Sequence, residues 1–90
     1  MSQARYEVEF TTAASKQFRK LDKQPQARIK QAVEELKNNP WHPGVIKLTG
    51  RDAYRVRVGD YRVIFEIEDG KLLITVLRIG SRRDIYESLK

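Results

Sequence analysis

The sequence predicts a single small domain of the α+β class. The expected elements are an N-terminal strand, an antiparallel helix hairpin, a three-stranded antiparallel meander that completes a small sheet, and a short C-terminal helical turn. The chain has 90 residues, the length of one domain, and no repeat or linker-like stretch divides residues 1–90. Apolar residues recur with a helical period between residues 14 and 36, whereas they alternate with polar residues at 6–10 and from 54 onward.

The N-terminal part predicts a strand followed by a helix. Residues 6–10 alternate apolar and polar side chains, the pattern of a half-buried strand. Thr11 or Thr12 then offers a helix N-cap. The apolar residues at helical spacing over this helix and the next are Ala14, Phe18, Leu21, Ile29, Ala32, Val33 and Leu36.

A second helix is expected to begin at Pro25, because proline suits the first position of a helix. It is expected to end at Asn38-Asn39-Pro40, since proline disfavours helix in the residue before it. The connection at 22–24 is short, so the two helices are predicted to form an antiparallel hairpin.

The remainder of the chain predicts three strands joined by tight turns. Gly59-Asp60 separates Tyr54–Val58 from Tyr61–Glu68, and glycine in the first loop position suits a type II′ turn. Asp69-Gly70 suits a type I′ turn and joins the second strand to Leu72–Ile79. Two-residue loops at both places fix the register of all three strands.

In that register one face of the meander is apolar throughout, so it is expected to cover the two helices. A favourable charge pair between Glu68 and Lys71 supports the same register. The expected apolar partners are Val58–Tyr61, Val56–Val63, Tyr54–Phe65, Ile67–Leu72, Phe65–Ile74 and Val63–Val76.

The opposite face of the meander places Arg57 directly opposite Arg62, with Arg55 two residues along. Like charges that face each other destabilise a strand pair by roughly 0.2–1 kcal/mol. An anion bound between the arginines removes that repulsion. The alternative is that the arginines extend into water and Glu66 neutralises one of them.

The C-terminal residues add to this cluster. Ser81 and Asp84 have the spacing of a capping box, which predicts a short helical turn and an N-cap role for Ser81. Arg82 is expected to lie near Arg62. Tyr86 either stacks on a base or packs against the sheet.

Composition excludes several classes of protein. The chain has 18 Lys and Arg, 12 Asp and Glu, one His and no Cys, which gives a formal net charge of +6. Without cysteine there is no disulfide, thiolate zinc site or thiol nucleophile, and one His cannot form a His-rich metal centre. The start of the chain lacks the apolar core of a signal peptide, and Leu72 to Leu77 is far too short to span a membrane. A cytoplasmic protein with an anionic partner, either nucleic acid or an acidic protein, is therefore expected.

Arginine and lysine are distributed differently along the chain. Five of the eight Lys precede residue 40, whereas seven of the ten Arg lie at 51 or later. A guanidinium binds phosphate or carboxylate through two parallel hydrogen bonds, whereas a lysine on a helix is usually solvated. The arginines are therefore the better candidates for a binding site.

These motifs resemble the RelE/ParE superfamily of toxins from type II toxin–antitoxin systems, over nearly the whole chain. The basic strand face together with a terminal Arg and Tyr is closer to the RelE-like, ribosome-dependent mRNA interferases than to the gyrase-poisoning ParE branch. The motifs are Lys47-Leu48-Thr49-Gly50, Tyr54-Arg55-Val56-Arg57-Val58-Gly59-Asp60-Tyr61-Arg62-Val63-Ile64 and Gly80-Ser81-Arg82-Arg83-Asp84-Ile85-Tyr86.

The resemblance implies a metal-independent endoribonuclease, without a cofactor, that cuts mRNA in the ribosomal A site by attack of the ribose 2′-OH on the adjacent phosphate. Arg55 and Arg57 occupy the positions of two strand lysines of the RelE type, one of which is assigned as the base. Arg62 and Arg82 match its two phosphate-binding arginines, and Tyr86 matches its terminal tyrosine. Further candidates for RNA binding are Lys47, Arg51 and Arg83.

The chain departs from the RelE pattern in the group that moves the proton. A free guanidinium stays charged, with a pKa above ~12, so an arginine is a poor base. Ser81 stands where many relatives have a histidine. The substitutes offered by the sequence are Lys47, Glu66 and Tyr86, whereas His42 is expected to be a loop residue.

The partners implied by the resemblance are a cognate RelB-like antitoxin, the ribosome at its 30S A site, and mRNA. Operator DNA is expected to be bound only through the toxin–antitoxin complex, which represses its own operon, and no membrane is expected. Two other functions remain open. They are inhibition of DNA gyrase, as in the ParE branch, and inhibition by binding RNA without cutting it.

Overall fold

The computed structural model describes residues 5–83. As predicted, the fold is α+β, and one sheet has the strand order β1-β5-β4-β3-β2. Strand β1 is parallel to β5, and the other neighbouring strands are antiparallel. The short edge strand β2 was not predicted. The elements are β1 (Glu7–Phe10), α1 (Thr12–Arg19), α2 (Lys23–Asn38), β2 (Val45–Lys47), β3 (Tyr54–Val58), β4 (Tyr61–Glu68) and β5 (Leu73–Ser81).

Local signals explain where the helices begin and end. The Thr11 hydroxyl caps α1, accepting a hydrogen bond from the Ala14 N–H at 3.1 Å. Helix α2 begins at Lys23, so the prediction of a start at Pro25 was two residues late. Pro25 is tolerated there because the first N–H groups of a helix have no partner within the helix. The end of α2 at Asn38 is as predicted.

The larger of two apolar clusters, the main core, lies between the helices and one face of the sheet, as the alternation predicted, and a smaller cluster around Ala53 and Ile64 is separate from it. Each helix packs mainly on the sheet rather than on the other helix. Full burial of a large apolar side chain contributes about 1.5–3 kcal/mol, so this face decides on which side the helices lie. The buried residues of this core are Ala14, Ile29, Val33, Leu36, Val56, Val58, Val63, Phe65, Ile74, Val76 and Ile79.

The β3–β4 hairpin has the predicted strands, turn and register. Gly59 has a φ of 60°. The φ of Asp60 is not positive, and Leu72 is the only non-glycine residue with a positive φ in the described part of the chain. The turn is therefore type II′. Arg57 lies opposite Arg62, and Tyr54 lies opposite Phe65.

The β4–β5 connection differs from the prediction of a two-residue type I′ turn, which was wrong. A 3₁₀ turn spans Asp69–Lys71, and Leu72 follows in the left-handed conformation with a φ of 50°. Glu68 and Lys71 do form an ion pair, at 3.6 Å, but within this turn rather than across strands. The longer loop moves the register by two residues, so Ile67 lies opposite Ile74. An even shift leaves every apolar side chain on its predicted face, and for that reason the alternation could not reveal it.

A β-bulge shifts the register once more. Phe65 lies opposite Val76 but Ile64 lies opposite Arg78, so Leu77 is an extra residue on β5. Beyond the bulge, Val63 lies opposite Ile79 instead of the predicted Val76.

Strand β5 continues to Ser81, opposite Tyr61. Arg82 and Arg83 follow in helical conformation, as the predicted C-terminal turn requires, and the rest of that turn, with Asp84 and Tyr86, lies outside the described residues. Neither α1 nor α2, the helices of residues 5–83, has the length and the apolar composition of a membrane span.

Candidate functional site

The sheet face that points away from the helices carries a set of arginines in two neighbouring cross-strand rows. One row runs from Arg57 through Arg62 to Gly80. The next row runs from Arg55 through Ile64 to Arg78. We call the surface formed by Arg55, Arg57, Arg62 and Arg78 the arginine face. Paired residues of an antiparallel ladder share a face, so the pairing itself brings these cations together.

Arg62 is the buried member of this set, with 4% of its surface exposed, whereas Arg57 is exposed. The Arg62 Nη1 donates hydrogen bonds to the carbonyl oxygens of Tyr61 at 3.0 Å and Gly59 at 3.4 Å. Its Nε is buried and has no hydrogen-bond partner among residues 5–83. The alternative in which all these arginines extend into water therefore does not describe Arg62.

No ion pair within residues 5–83 involves Arg57, Arg62 or Arg78. Glu66 lies on the same sheet face, opposite Thr75, and is exposed without neutralising any of those three. A buried cation is costly unless it is paired. The arrangement therefore suits an anion that supplies the missing negative charge.

The end of the sheet at the β3–β4 turn brings in the C-terminal arginines. The Arg82 backbone N–H donates a hydrogen bond to the Asp60 carbonyl at 3.0 Å, which ties the end of β5 to the turn. Asp60, Ser81, Arg82 and Arg83 line an open groove of about 720 Å³ there. This groove lies at the end of the sheet that carries Arg57 and Arg62, so it extends the basic surface to the turn.

Comparison with known proteins identifies the family. Residues 8–86 match the family model for the ParE toxin of type II toxin–antitoxin systems (parDE). The chain is a toxin of the RelE/ParE superfamily. The resemblance predicted from the motifs is confirmed.

Relatives of the toxin carry RelE-type names. It is 33% identical over 87 residues to a putative RelE-like toxin protein of Escherichia coli, covering 91% of this chain and 90% of that protein. It is 30% identical over 83 residues to toxin RelG of Mycobacterium tuberculosis, covering 90% and 95%. The fold matches the RelE–RelB complex from Pyrococcus horikoshii with a TM-score of 0.78 and 30% identity, over 88% of this chain and 97% of that one.

The structure brings most of the predicted site residues of the toxin together. Arg55, Arg57 and Arg62 share the arginine face, and Arg82 lies at its end. Tyr86 lies outside the described residues.

The further candidates for RNA binding lie in different places. Lys47 pairs with Tyr54, whose ring packs against the core, so Lys47 lies on the helix side of the sheet, away from the arginines. Arg51 is exposed in the β2–β3 loop, at the far end of the sheet from the Gly59 turn, whereas Arg83 lies beside Arg82 in the groove.

His42 lies in the loop before β2, as predicted for a loop residue. Its Nδ1 accepts a hydrogen bond from the Gly44 N–H at 3.0 Å, whereas its Nε2 is buried without a hydrogen-bond partner in the part of the chain that the structure describes. No group of three or more His, Asp or Glu side chains within residues 5–83 is arranged to hold a metal ion.

The sequence did not predict the positions of two further arginines, one on the arginine face and one near the β3–β4 turn. Arg78 joins the arginine face only because of the bulge. Its signal was present in the sequence, since the predicted register placed this cation on the apolar face after Ile74 and Val76. Arg28 on α2 reaches the β3–β4 turn, with its Nη1 3.0 Å from where a Cβ on Gly59 would lie. No local pattern places α2 beside that turn.

Proposed function

We propose that this toxin inhibits translation as a ribosome-dependent endoribonuclease that cuts mRNA in the A site. The observation that carries the proposal is the pairing of Arg57 with Arg62, whose buried guanidinium is held by the turn carbonyls and has no anionic partner in the described chain. A phosphate between these side chains turns their mutual repulsion into attraction. The RelE-type names of the relatives support the same function.

The chemistry that suits this site is transfer of a phosphate ester within the RNA. The ribose 2′-oxygen forms a bond to the adjacent phosphorus, and the bond from phosphorus to the 5′-oxygen breaks. The products are a 2′,3′-cyclic phosphate and a 5′-OH. Negative charge builds up on the phosphorane oxygens, and Arg62, Arg57 and Arg82 supply fixed positive charge there. One such donor is worth ~10²–10³-fold in kcat.

The described part of the arginine face has no suitable base for the 2′-OH. Arginine does not accept a proton. Glu66 is four residues from Arg62 along β4, about 13 Å at ~3.3 Å per residue, too far to act on the same phosphate. Among residues 5–83, the contribution to catalysis is therefore charge stabilisation, added to the geometry that the ribosome imposes. The 2′-OH gives its proton to water or to Tyr86, the remaining candidate offered by the sequence, and the leaving 5′-oxygen takes one up.

The partner of the toxin is proposed to be an acidic, RelB-like antitoxin. A net charge of +6 attracts an acidic segment, and the similar Pyrococcus structure is a complex of RelE with RelB. Operator DNA is then bound through the toxin–antitoxin complex rather than by the toxin alone.

Toeprinting on ribosomes programmed with a defined mRNA tests the cleavage. The wild-type toxin should cut in the A site, and Arg62→Met should cut about 100-fold or more slowly. Arg19→Gln is the matched control, because it removes an exposed arginine from α1 on the other side of the sheet. Intact mRNA with the wild type, or undiminished cutting by Arg62→Met, contradicts the proposal.

Inhibition of DNA gyrase is the second candidate, because the matched family model is that of the ParE toxin and no base is found among the described residues. Pulse labelling after induction separates the two. A ribonuclease stops protein synthesis first, whereas a gyrase inhibitor damages DNA while protein synthesis continues. A toxin that stops translation but leaves A-site mRNA intact is an RNA-binding inhibitor without catalysis.

A further inference from the structure

The bulge at Leu77 determines which side chains of β5 reach the arginine face. Without it, Arg78 would continue the alternation of Ile74 and Val76 and point into the core. With it, Arg78 lies opposite Ile64, in the same cross-strand row as Arg55. Bulges redirect side chains in this way and are frequent beside functional sites.

Within the described part of the chain, the guanidinium of Arg78 uses only one of its N–H donors. The side chain is partly buried, and its Nη1 donates one long hydrogen bond, 3.5 Å, to the Leu77 carbonyl. No carboxylate of the described chain pairs with it. A guanidinium has five N–H donors, so a cation held at this place can bind a phosphate through two of them.

The two rows of the arginine face are spaced like neighbouring phosphates. Rows two residues apart on one face of a strand lie about 6.6 Å apart, from ~3.3 Å per residue. Successive phosphates of a single-stranded RNA are separated by a comparable distance. The row of Arg57 and Arg62 can therefore hold one phosphate while Arg78 faces the next.

We propose that Arg78 binds the phosphate adjacent to the one that is cut, so that the arginine face binds two consecutive phosphates of the RNA. This inference rests on the proposed function, since it takes single-stranded RNA as the ligand. Arg78 sets the position of the strand along the sheet and thereby which phosphate lies between Arg57 and Arg62.

Salt dependence of RNA binding measures this interaction directly. Fluorescence anisotropy with a short single-stranded RNA, from low salt upward, gives the slope of log K against log salt, whose magnitude falls by about 0.7 for each phosphate that the protein no longer neutralises. Arg78→Gln should lower the slope by about that amount and weaken binding about tenfold at low salt. Arg78→Lys should retain the slope, and the control Arg19→Gln should match the wild type.

Methylphosphonate linkages, which are uncharged, locate the phosphate that Arg78 binds. One such linkage is placed at each position of the RNA in turn. At the phosphate beside the cleaved one, the losses of binding free energy caused by the linkage and by Arg78→Gln should not add up, because both remove the same contact. At the cleaved phosphate, the same should hold for the linkage and Arg62→Met. The assignment of Arg78 is overturned if Arg78→Gln leaves the salt slope unchanged or if Arg19→Gln lowers the slope equally. It is also overturned if the wild type does not bind the RNA, or if the losses of binding free energy are additive at every position.

The experiments distinguish failure of the proposed nuclease function from failure of the assignment of Arg78. Wild-type toxin that binds RNA through Arg78 but leaves A-site mRNA intact on programmed ribosomes supports phosphate binding by Arg78 and contradicts the nuclease. Wild-type toxin that cuts mRNA while Arg78→Gln keeps the full salt slope supports the nuclease and contradicts phosphate binding by Arg78.

Discussion

Arg57 on β3 lies directly opposite Arg62 on β4, and the two like charges share one row of the sheet although Arg62 is only 4% exposed. Facing charges of one sign destabilise a strand pair, by roughly 0.2–1 kcal/mol. The free toxin therefore carries a repulsion that a bound phosphate relieves. The same pair links the stability of the β3–β4 hairpin to the binding site.

Removing the exposed member of the pair should stabilise the toxin and impair it. Arg57→Gln is expected to raise the free energy of unfolding in urea by up to about 1 kcal/mol, because the repulsion is lost. Cleavage of A-site mRNA should fall by at least about tenfold, since a cation beside the phosphate is removed. The control Arg19→Gln should change neither quantity, and a destabilised Arg57→Gln contradicts the repulsion.

The effect of Arg57→Gln should disappear when Arg62 is no longer charged. Arg62→Met replaces the guanidinium with an apolar chain. Removing the buried charge stabilises the fold, whereas losing the hydrogen bonds to the carbonyls of Tyr61 and Gly59 destabilises it. Because the two effects offset each other, the unfolding free energy should lie within about 1 kcal/mol of wild type. Adding Arg57→Gln to Arg62→Met should give no further stabilisation. A gain equal to that in the wild-type background shows that the two arginines do not interact.

Substitution by alanine should affect stability differently at the glycines of the two turns of the meander. Gly59 has a φ of 60°, so Gly59→Ala should lower the unfolding free energy by about 1–2 kcal/mol. Gly70 lies in the 3₁₀ turn without a positive φ, and a Cβ there would meet no atom of residues 5–83 within 4 Å. Gly70→Ala should leave stability unchanged or raise it by about 0.4–1 kcal/mol. Urea denaturation distinguishes these outcomes. If Gly70→Ala lowers the unfolding free energy as much as Gly59→Ala does, Gly70 has a positive φ and the connection is the type I′ turn after all.

Tyr6 should make a contribution to stability that is lost in alkali. Its hydroxyl donates a hydrogen bond to the Asp69 carboxylate, and that bond, followed by burial, raises the pKa of Tyr6 above its ordinary value of 10.0. Because the protonated phenol is the form that the fold prefers, the contribution is complete below pH 10 and is lost as pH rises through the higher pKa of the folded state.

Tyr6→Phe should therefore lower the unfolding free energy by no more than about 1 kcal/mol at pH 7, since the groups are partly exposed. The difference from wild type should shrink above pH 10. Denaturation at a series of pH values measures it, and a difference that grows in alkali contradicts the hydrogen bond.

Local sequence was sufficient for the part of the site that lies within one hairpin. Gly59 and Asp60 form a two-residue turn, so the pairing of Arg57 with Arg62 follows by counting outward from it. The prediction for the β4–β5 connection was wrong because Asp69 and Gly70 suit a two-residue type I′ turn as well as the 3₁₀ turn that is observed. The chain instead continues through a left-handed Leu72, whose carbonyl accepts a hydrogen bond from the Glu7 N–H on the neighbouring β1. That partner is remote in sequence, so no local pattern could report it.

The sequence by itself determined the α+β class, the apolar face that covers the helices, the family, and the arginine pair of the β3–β4 hairpin. The class, the apolar face and the arginine pair depend on periodicity and on short-range turns, whereas the family was indicated by the resemblance of the motifs. Only the tertiary structure decided the register of β5, the bulge that brings Arg78 to the arginine face, the position of Lys47 on the other side, and the approach of Arg28 to Gly59. The reason is that strand register and helix placement are set by packing between residues distant in the chain, and an alternating pattern looks the same after any shift of two residues.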